Sequence, residues 1–360
     1  MKILSLQLRN FRLFDHAAIP FAPGLNYFSG PNAAGKTTLL EALLLLCTGR
    51  SMRTRHLDQL VKEKQERFAL SCHFERHGIE QQIDLFSDGK RHDLTINATR
   101  GHRLHALLGQ CQGVVITPED IQIIKGSPEE RRRFIDQYLC TTYPLYVHHL
   151  HRYKRALKQR SACLKQNSFG TIALWEQQLA KSAAFIVQER ATALERIEKQ
   201  ASPLLRQLSG GLEGLKLLYR LPKASDLEEH FIQELAESRG KDTLLQTTTV
   251  GPHRDDILVL INGKNARSFA SEGQKKSLVC ALRLAQWHQM GENETPFLGI
   301  DDIGACLDEE RLSALIKEIS HLGQVFVTSP TPSPLENAEI FAIESGVVKK
   351  FAEKIATSLV

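Results

Sequence analysis

Gly30-Pro31-Asn32-Ala33-Ala34-Gly35-Lys36-Thr37 has the glycines, lysine and threonine of a phosphate-binding loop at their required spacing. The backbone N–H groups of such a loop and the first turn of the next helix enclose the β- and γ-phosphates. Lys36 neutralises them, and the Thr37 hydroxyl ligates magnesium. The loop follows the strand-like Leu25–Phe28 and opens the helical run Thr38–Cys47, which favours a ligand site over a chance glycine-rich turn. This predicts a site for ATP and magnesium in which Thr38 adds to the loop residues. A second element fits the same chemistry: Phe297-Leu298-Gly299-Ile300 is an apolar strand that delivers Asp301 and Asp302 to its carboxyl end. Asp301 would hold the magnesium and Asp302 would orient or deprotonate the water that attacks the γ-phosphate, although paired aspartates also serve as plain turn or N-cap residues.

Ser271-Glu272-Gly273-Gln274 precedes a helix, and by itself it reads as an N-cap. Its place just before the aspartate pair is the order found in ATPases whose two heads sandwich nucleotide. There the serine and helix N-terminus of one subunit meet the γ-phosphate held by the other, so Ser271, Gly273 and Gln274 are candidates acting in trans. Between Asp136 and Glu176 no acidic residue occurs, while Arg152, Lys154, Arg155, Lys158, Arg160 and Lys165 add six positive charges. Those six would give a salt slope of about −5 on duplex DNA, and the competing reading is a merely solvated helix face. Tyr153 within this stretch could stack on a base but also sits at a core spacing; His148, His149 and His151 lack a fourth metal ligand at a sensible spacing.

The elements that must position these residues follow from the hydrophobic pattern. Leu4, Leu6 and Leu8 alternate with polar residues, as do Phe68, Leu70, Cys72 and Phe74, and both runs have the period of half-buried strands. Ser127-Pro128-Glu129-Glu130 is a complete helix start. Leu150, Leu157 and Leu164, interleaved with Tyr146 and Tyr153, then Trp175 to Ala193 after a break at Asn167–Gly170, predict two helices packed as an antiparallel hairpin. Asn262-Gly263 marks a hairpin turn, and strand, helix, strand alternation from Phe297 to Val327 suggests a parallel sheet. Asp301 lies 264 residues beyond Thr37, far more than a simple nucleotide-binding domain needs. The predicted architecture is an α/β P-loop ATPase head with a mixed sheet, formed by residues 1–126 and 245–360 and split by an inserted α-helical arm over 127–244.

Composition agrees. With 42% hydrophobic and 24% charged residues the chain is neither disordered nor fibrous. No apolar stretch approaches the ~20 residues of a membrane span. Seven scattered cysteines without a C-x-x-C pair fit reduced thiols in the cytoplasm. The net charge of +5 is smaller than the charge of the basic stretch alone, so the remainder of the chain is close to neutral.

Longer blocks carry a family resemblance. Val114–Ile121, Lys125–Asp136, Leu157–Arg160, Gly251–Asp256 and Ser268–Gln286, together with the loop and the aspartate pair, resemble the RecF family of bacterial recombination mediators, in that family's order and across essentially the whole chain. The resemblance implies a cytosolic, weakly DNA-dependent ATPase of the ABC/SMC type that forms a homodimer on ATP and binds single-stranded, gapped or junction DNA. It also implies work with RecO and RecR in recombinase loading, replication restart, DNA repair and the SOS response. The sequence departs from the family at Ala33, where a glycine is usual and where a negative φ is therefore expected, and at Ala305 and Cys306, which replace a usual Ser and Glu. A transporter ATPase would normally show a histidine where Thr328-Ser329 stands; a metabolic kinase or GTPase would lack the Ser271 signature; a chromosome-maintenance head with a different partner is the nearest alternative.

Overall fold

The computed structural model describes residues 1–291, 294–331, 335 and 337–351. The chain divides into two compact units, one of Met1–Asp120, Gln207–Gly211 and Lys276–Val360, the other of Ile121–Arg206 and Leu212–Lys275.

The first unit contains two six-stranded sheets. One is antiparallel, in the order β2 (Phe14–Pro20), β1 (Lys2–Phe11), β4 (Phe68–Arg76), β5 (Ile79–Ser87), β6 (His92–Ile96), β7 (Thr99–His102). The other is mixed, in the order β15 (Val347–Lys350), β14 (Glu339–Glu344), β3 (Leu25–Ser29), β13 (Val325–Ser329), β12 (Phe297–Ile300), β8 (Gly113–Ile116). The alternation in β4 survives as alternating burial; in β1 it holds from Leu6 to Arg9, whereas Ile3 is buried and Leu4 only half-buried where the register with β4 shifts between Ile3 and Ser5. By contrast β8, β12 and β13 are buried at every position, as apolar runs in a parallel sheet must be. The helix Lys36–Thr48 is apolar nearly all round, and its Leu39, Leu40, Leu43 and Leu46 share one core with residues of both sheets. Parallel pairing sets Ser29 opposite Ser329 and Ile300 opposite Val327, so the carboxyl ends of β3, β13 and β12 lie side by side. Ligands of open α/β sheets bind at such ends.

The second unit is mainly helical: Pro128–Thr142, Pro144–Gln166, Ile172–Leu208 up to Arg206, and Leu227–Leu245. The expected hairpin is present. His149 stacks on Phe185, Arg152 donates to Gln178 and Arg160 bonds Glu176, a set of pairings that runs one helix against the other. Asn167 ends the first of these helices in left-handed conformation, at φ 50°. Pro128 occupies the first turn of its helix, whereas the Ser127 hydroxyl, expected as a cap, makes no cap hydrogen bond. The unit boundary also differs from the expected 127–244, because strands within 245–275 belong to this unit. β10 (Ile257–Ile261) pairs antiparallel along its length with β9 (Leu215–Tyr219) and turns through Asn262-Gly263 into β11 (Lys264–Asn265). Both turn residues have positive φ, 48° and 77°, the type I′ geometry that Asn-Gly favours.

Candidate nucleotide site and basic helical face

The loop between β3 and the helix Lys36–Thr48 is closely packed from behind. A Cβ on Gly30 would fall 2.1 Å from the Ile343 carbonyl oxygen, and one on Gly35 would fall 2.9 Å from the Phe14 ring. Pro31, Asn32 and Ala33 are exposed, Ala34, Gly35, Lys36 and Thr38 are buried, and Thr37 is half-buried. Ala33 does not take the expected negative φ. It stands at 64°, because the loop keeps the left-handed turn that its anion-facing path requires and the alanine adopts it under strain. No side chain caps the helix and no acidic residue stands in its first turn, so its positive end faces the loop. The Lys36 ammonium donates to the carbonyls of Gly30 at 2.6 Å and Pro31 at 2.8 Å. Burial lowers its pKa, while the neighbouring charges of Asp302 and Asp301 oppose that shift. A cation folded over a glycine cradle at a helix N-terminus fits a phosphate chain.

Asp301 Oδ1 accepts from the Thr37 hydroxyl at 2.8 Å and from the Thr328 hydroxyl at 2.7 Å. The Asp302 N–H donates to the same Thr328 oxygen at 2.8 Å. One hydrogen-bond network therefore joins the ends of β12 and β13 to the first turn of the helix Lys36–Thr48. Burial pushes the Asp301 carboxyl above its usual range, against the Thr328 and Thr37 hydrogen bonds and the charge of Arg53. Oxygen donors on Thr37 and Asp301 suit a hard cation such as magnesium. Thr328 was legible only as the end of a strand, and Arg53 carried no sequence signal; both emerge from the structure.

At the signature, Ser271 and Gln274 form a reciprocal capping box. The Gln274 N–H donates to the Ser271 hydroxyl oxygen at 3.2 Å, and the Gln274 side-chain oxygen accepts from the Ser271 N–H at 2.8 Å. Gln274 thus serves the helix itself, whereas the serine acts as acceptor in its cap, a bond that does not use its hydroxyl proton. Gly273 lies in the same first turn, in Glu272–Met290. Glu272 bonds Lys125 and Lys275, which holds its carboxyl low. The Ala305 carbonyl accepts from Lys276 at 2.7 Å; the Cys306 side chain lies outside the described residues.

The basic stretch divides. Lys154, Arg155, Lys158 and Lys165 are exposed, and Arg152 is half-buried. Arg160, expected among the DNA contacts, is 0% exposed. Its guanidinium bonds Glu176 at 3.1 Å, Asp242 at 2.6 Å, Thr248 at 2.9 Å and the Leu235 carbonyl at 3.0 Å, so it cannot reach a phosphate. Tyr153 is buried and its hydroxyl pairs with His253 Nδ1 at 2.5 Å, which removes it as a base-stacking residue. His149 lies against Phe185, and among the described residues no cluster of three or more His, Cys, Asp and Glu side chains could hold a metal ion.

The profile of the RecF/RecN/SMC N terminal domain family matches residues 2–350. The DNA replication and repair protein RecF of Protochlamydia amoebophila is 40% identical over 347 residues, covering 94% of this chain and 97% of that protein. A solved structure of the recombination mediator protein RecF with ATP, in the RecFOR pathway, superposes with a TM-score of 0.90 over 98% of each chain at 29% identity. An Smc head bound to the C-winged helix domain of ScpA has a TM-score of 0.60 at 18% identity, over 99% of this chain and 98% of its own, and shares the fold.

Proposed function

The chain belongs to the RecF family, and from that premise we propose that it is an ATP-gated DNA clamp, a recombination mediator whose first unit is the ATPase head and whose second is the DNA-holding arm. The observation that carries this reading is the Thr37, Asp301 and Thr328 network, which joins the ends of β12 and β13 to the helix turn that contains Lys36. Gly30 to Thr38 would bind the triphosphate, and Lys36 would neutralise it. Thr37 and Asp301 would hold a magnesium ion, which supplies charge neutralisation for the phosphates. Asp302 would orient the attacking water. It is one methylene shorter than a glutamate in that role, which favours slow turnover and use of hydrolysis as a switch. Ser271 from a second copy of the chain, with its hydroxyl proton uncommitted by the cap, would donate to the γ-phosphate and so make ATP the link of a dimer.

Lys154, Arg155, Lys158 and Lys165, with Arg152 beside them, would follow the phosphates of duplex next to a single-stranded gap. RecO and RecR are the partners expected from the family, in recombinase loading, replication restart and the SOS response, all in the cytoplasm. Among the described residues no helix is long and apolar enough to cross a membrane. The test is ATP hydrolysis with and without gapped duplex. Slow basal turnover that DNA accelerates is expected; a rate indifferent to DNA would break the link between the two units' functions.

A further inference from the structure

Between Asp136 and Glu189 the helical hairpin holds a single acidic residue, Glu176, which is buried and taken up by Arg160 and Arg239. Lys154, Lys158 and Lys165 fall within about 40° of one another around a helix of about 3.6 residues per turn, and Arg155 flanks them. They form a stripe about 16 Å long, the rise of about five nucleotides of a duplex strand. All four cations are exposed, and among the described residues none is engaged by a carboxylate. At the end of the stripe the chain turns. Asn167 reverses it at φ 50°, the Ser168 N–H donates to the Cys163 carbonyl at 3.0 Å, and the Ile172 N–H donates to the Phe169 carbonyl at 3.2 Å. The turn is thus tied to the helix on each side, and it leaves Phe169 43% exposed. Ser168, Gly170 and Thr171 around it are small and exposed, and a Cβ on Gly170 would meet nothing within 4 Å. Phe185, the hairpin's other phenylalanine, is covered by Tyr143 and His149. Leu174, 62% exposed, adds a second uncovered apolar side chain in the first turn of the next helix.

We propose that Phe169 reads the single strand for the arm: the lysine stripe follows the phosphates of the duplex, and the Phe169 ring stacks on the first unpaired base beyond it. This rests on the DNA-holding role given to the arm above. A row of uncommitted cations suits a polyanion, and a nucleic acid is a polyanion that also carries flat apolar faces. Those faces are closed inside a duplex and open where pairing ends, so an uncovered ring at the end of the stripe finds its ligand only there. Phosphate contacts alone hold any duplex and carry no preference for a gap.

The experiment follows binding of the full chain, with ATP, to gapped duplex and to unbroken duplex of the same length by fluorescence anisotropy. A second measurement places 2-aminopurine, a fluorescent adenine analogue, at the first unpaired base. Phe169→Ala should weaken binding to gapped duplex about tenfold and binding to unbroken duplex less than about twofold. The unaltered chain should quench the 2-aminopurine, Phe169→Ala should not, and Phe169→Tyr should restore both affinity and quenching. The side chain is exposed, so the substitutions spare the core, which an unchanged thermal melt checks. Equal losses on the two DNAs, an unaltered preference for the gap, or quenching that is absent from the unaltered chain or persists without the ring would overturn the proposal. Failure of the unaltered chain to bind either DNA, or binding that ignores charge reversal at Arg155 and Lys158, would instead overturn the DNA-holding role of the arm and the proposal with it.

Discussion

Arg160 in the helical unit and Asp301 in the head are both buried charges, yet their surroundings differ in kind. Arg160 is met by two carboxylates, Glu176 and Asp242, and by a hydroxyl and a carbonyl drawn from separate parts of the unit. Asp242 is held in turn by Thr249 and Ser238, and its carboxyl stays low even though burial alone would raise it. Arg190 repeats the pattern, with a fork onto Asp136 and a bond to the Pro252 carbonyl. Asp301 is hydrogen-bonded by the hydroxyls of Thr37 and Thr328, groups that can rotate aside, and burial leaves its carboxyl raised although the charge of Arg53 opposes the shift. A buried charge enclosed by opposite charge holds a fold together. One whose carboxylate is hydrogen-bonded by rotatable hydroxyls, and whose charge burial still penalises, can turn to an incoming cation, at some cost to stability.

That contrast can be broken by substitution, and Arg160→Met should have the largest effect. It strands the Asp242 carboxylate in the interior and should destabilise the helical unit by about 3–5 kcal/mol in urea titration. A loss under about 1 kcal/mol would mean that the network is not structural. Charge reversal at Arg155 and Lys158 together should weaken binding to gapped duplex at least ~10-fold and make the salt slope shallower by about 2, with nucleotide binding unchanged. Unchanged affinity at low salt would reduce the exposed basic face to a solvated surface. Asp301→Asn should abolish hydrolysis yet raise unfolding stability at pH 7 by about 1 kcal/mol. The sign follows from the raised carboxyl: the ionised form is penalised in the folded state at neutral pH, and that penalty disappears as pH falls through the raised value. The gain should therefore shrink in melts recorded toward pH 4, and a loss of stability at pH 7 would remove the distinction between the two regions.

How much of this was legible in the sequence follows the same division. The phosphate loop and the aspartate pair are contiguous, and their spacing is fixed by what they bind, so both could be read directly. The parallel strands were legible as apolar runs such as Val325-Phe326-Val327, but their order was not, since register across hundreds of residues leaves no local mark. Ala33 misled because the loop's path is set by packing and phosphate geometry, and alanine bears an αL strain of about 1–2 kcal/mol there instead of bending the loop to its own preference. Arg160 misled for want of attention to a signal that existed: Tyr146, Tyr153 and Arg160 repeat every seven residues, and all three are buried on one stripe of their helix. The arm's C-terminal boundary was hidden because β10 finds its partner in β9, some forty residues earlier.

The central claim is that nucleotide closes two copies of this chain on DNA. Sedimentation of the protein with gapped duplex, in ATP and then in ADP, tests it most directly. With ATP the account predicts a protein dimer that travels with the DNA; with ADP, or with Lys36→Ala in ATP, it predicts monomer and free duplex. A dimer of equal stability in ADP, or a monomer that binds the duplex equally well in both nucleotides, would contradict it.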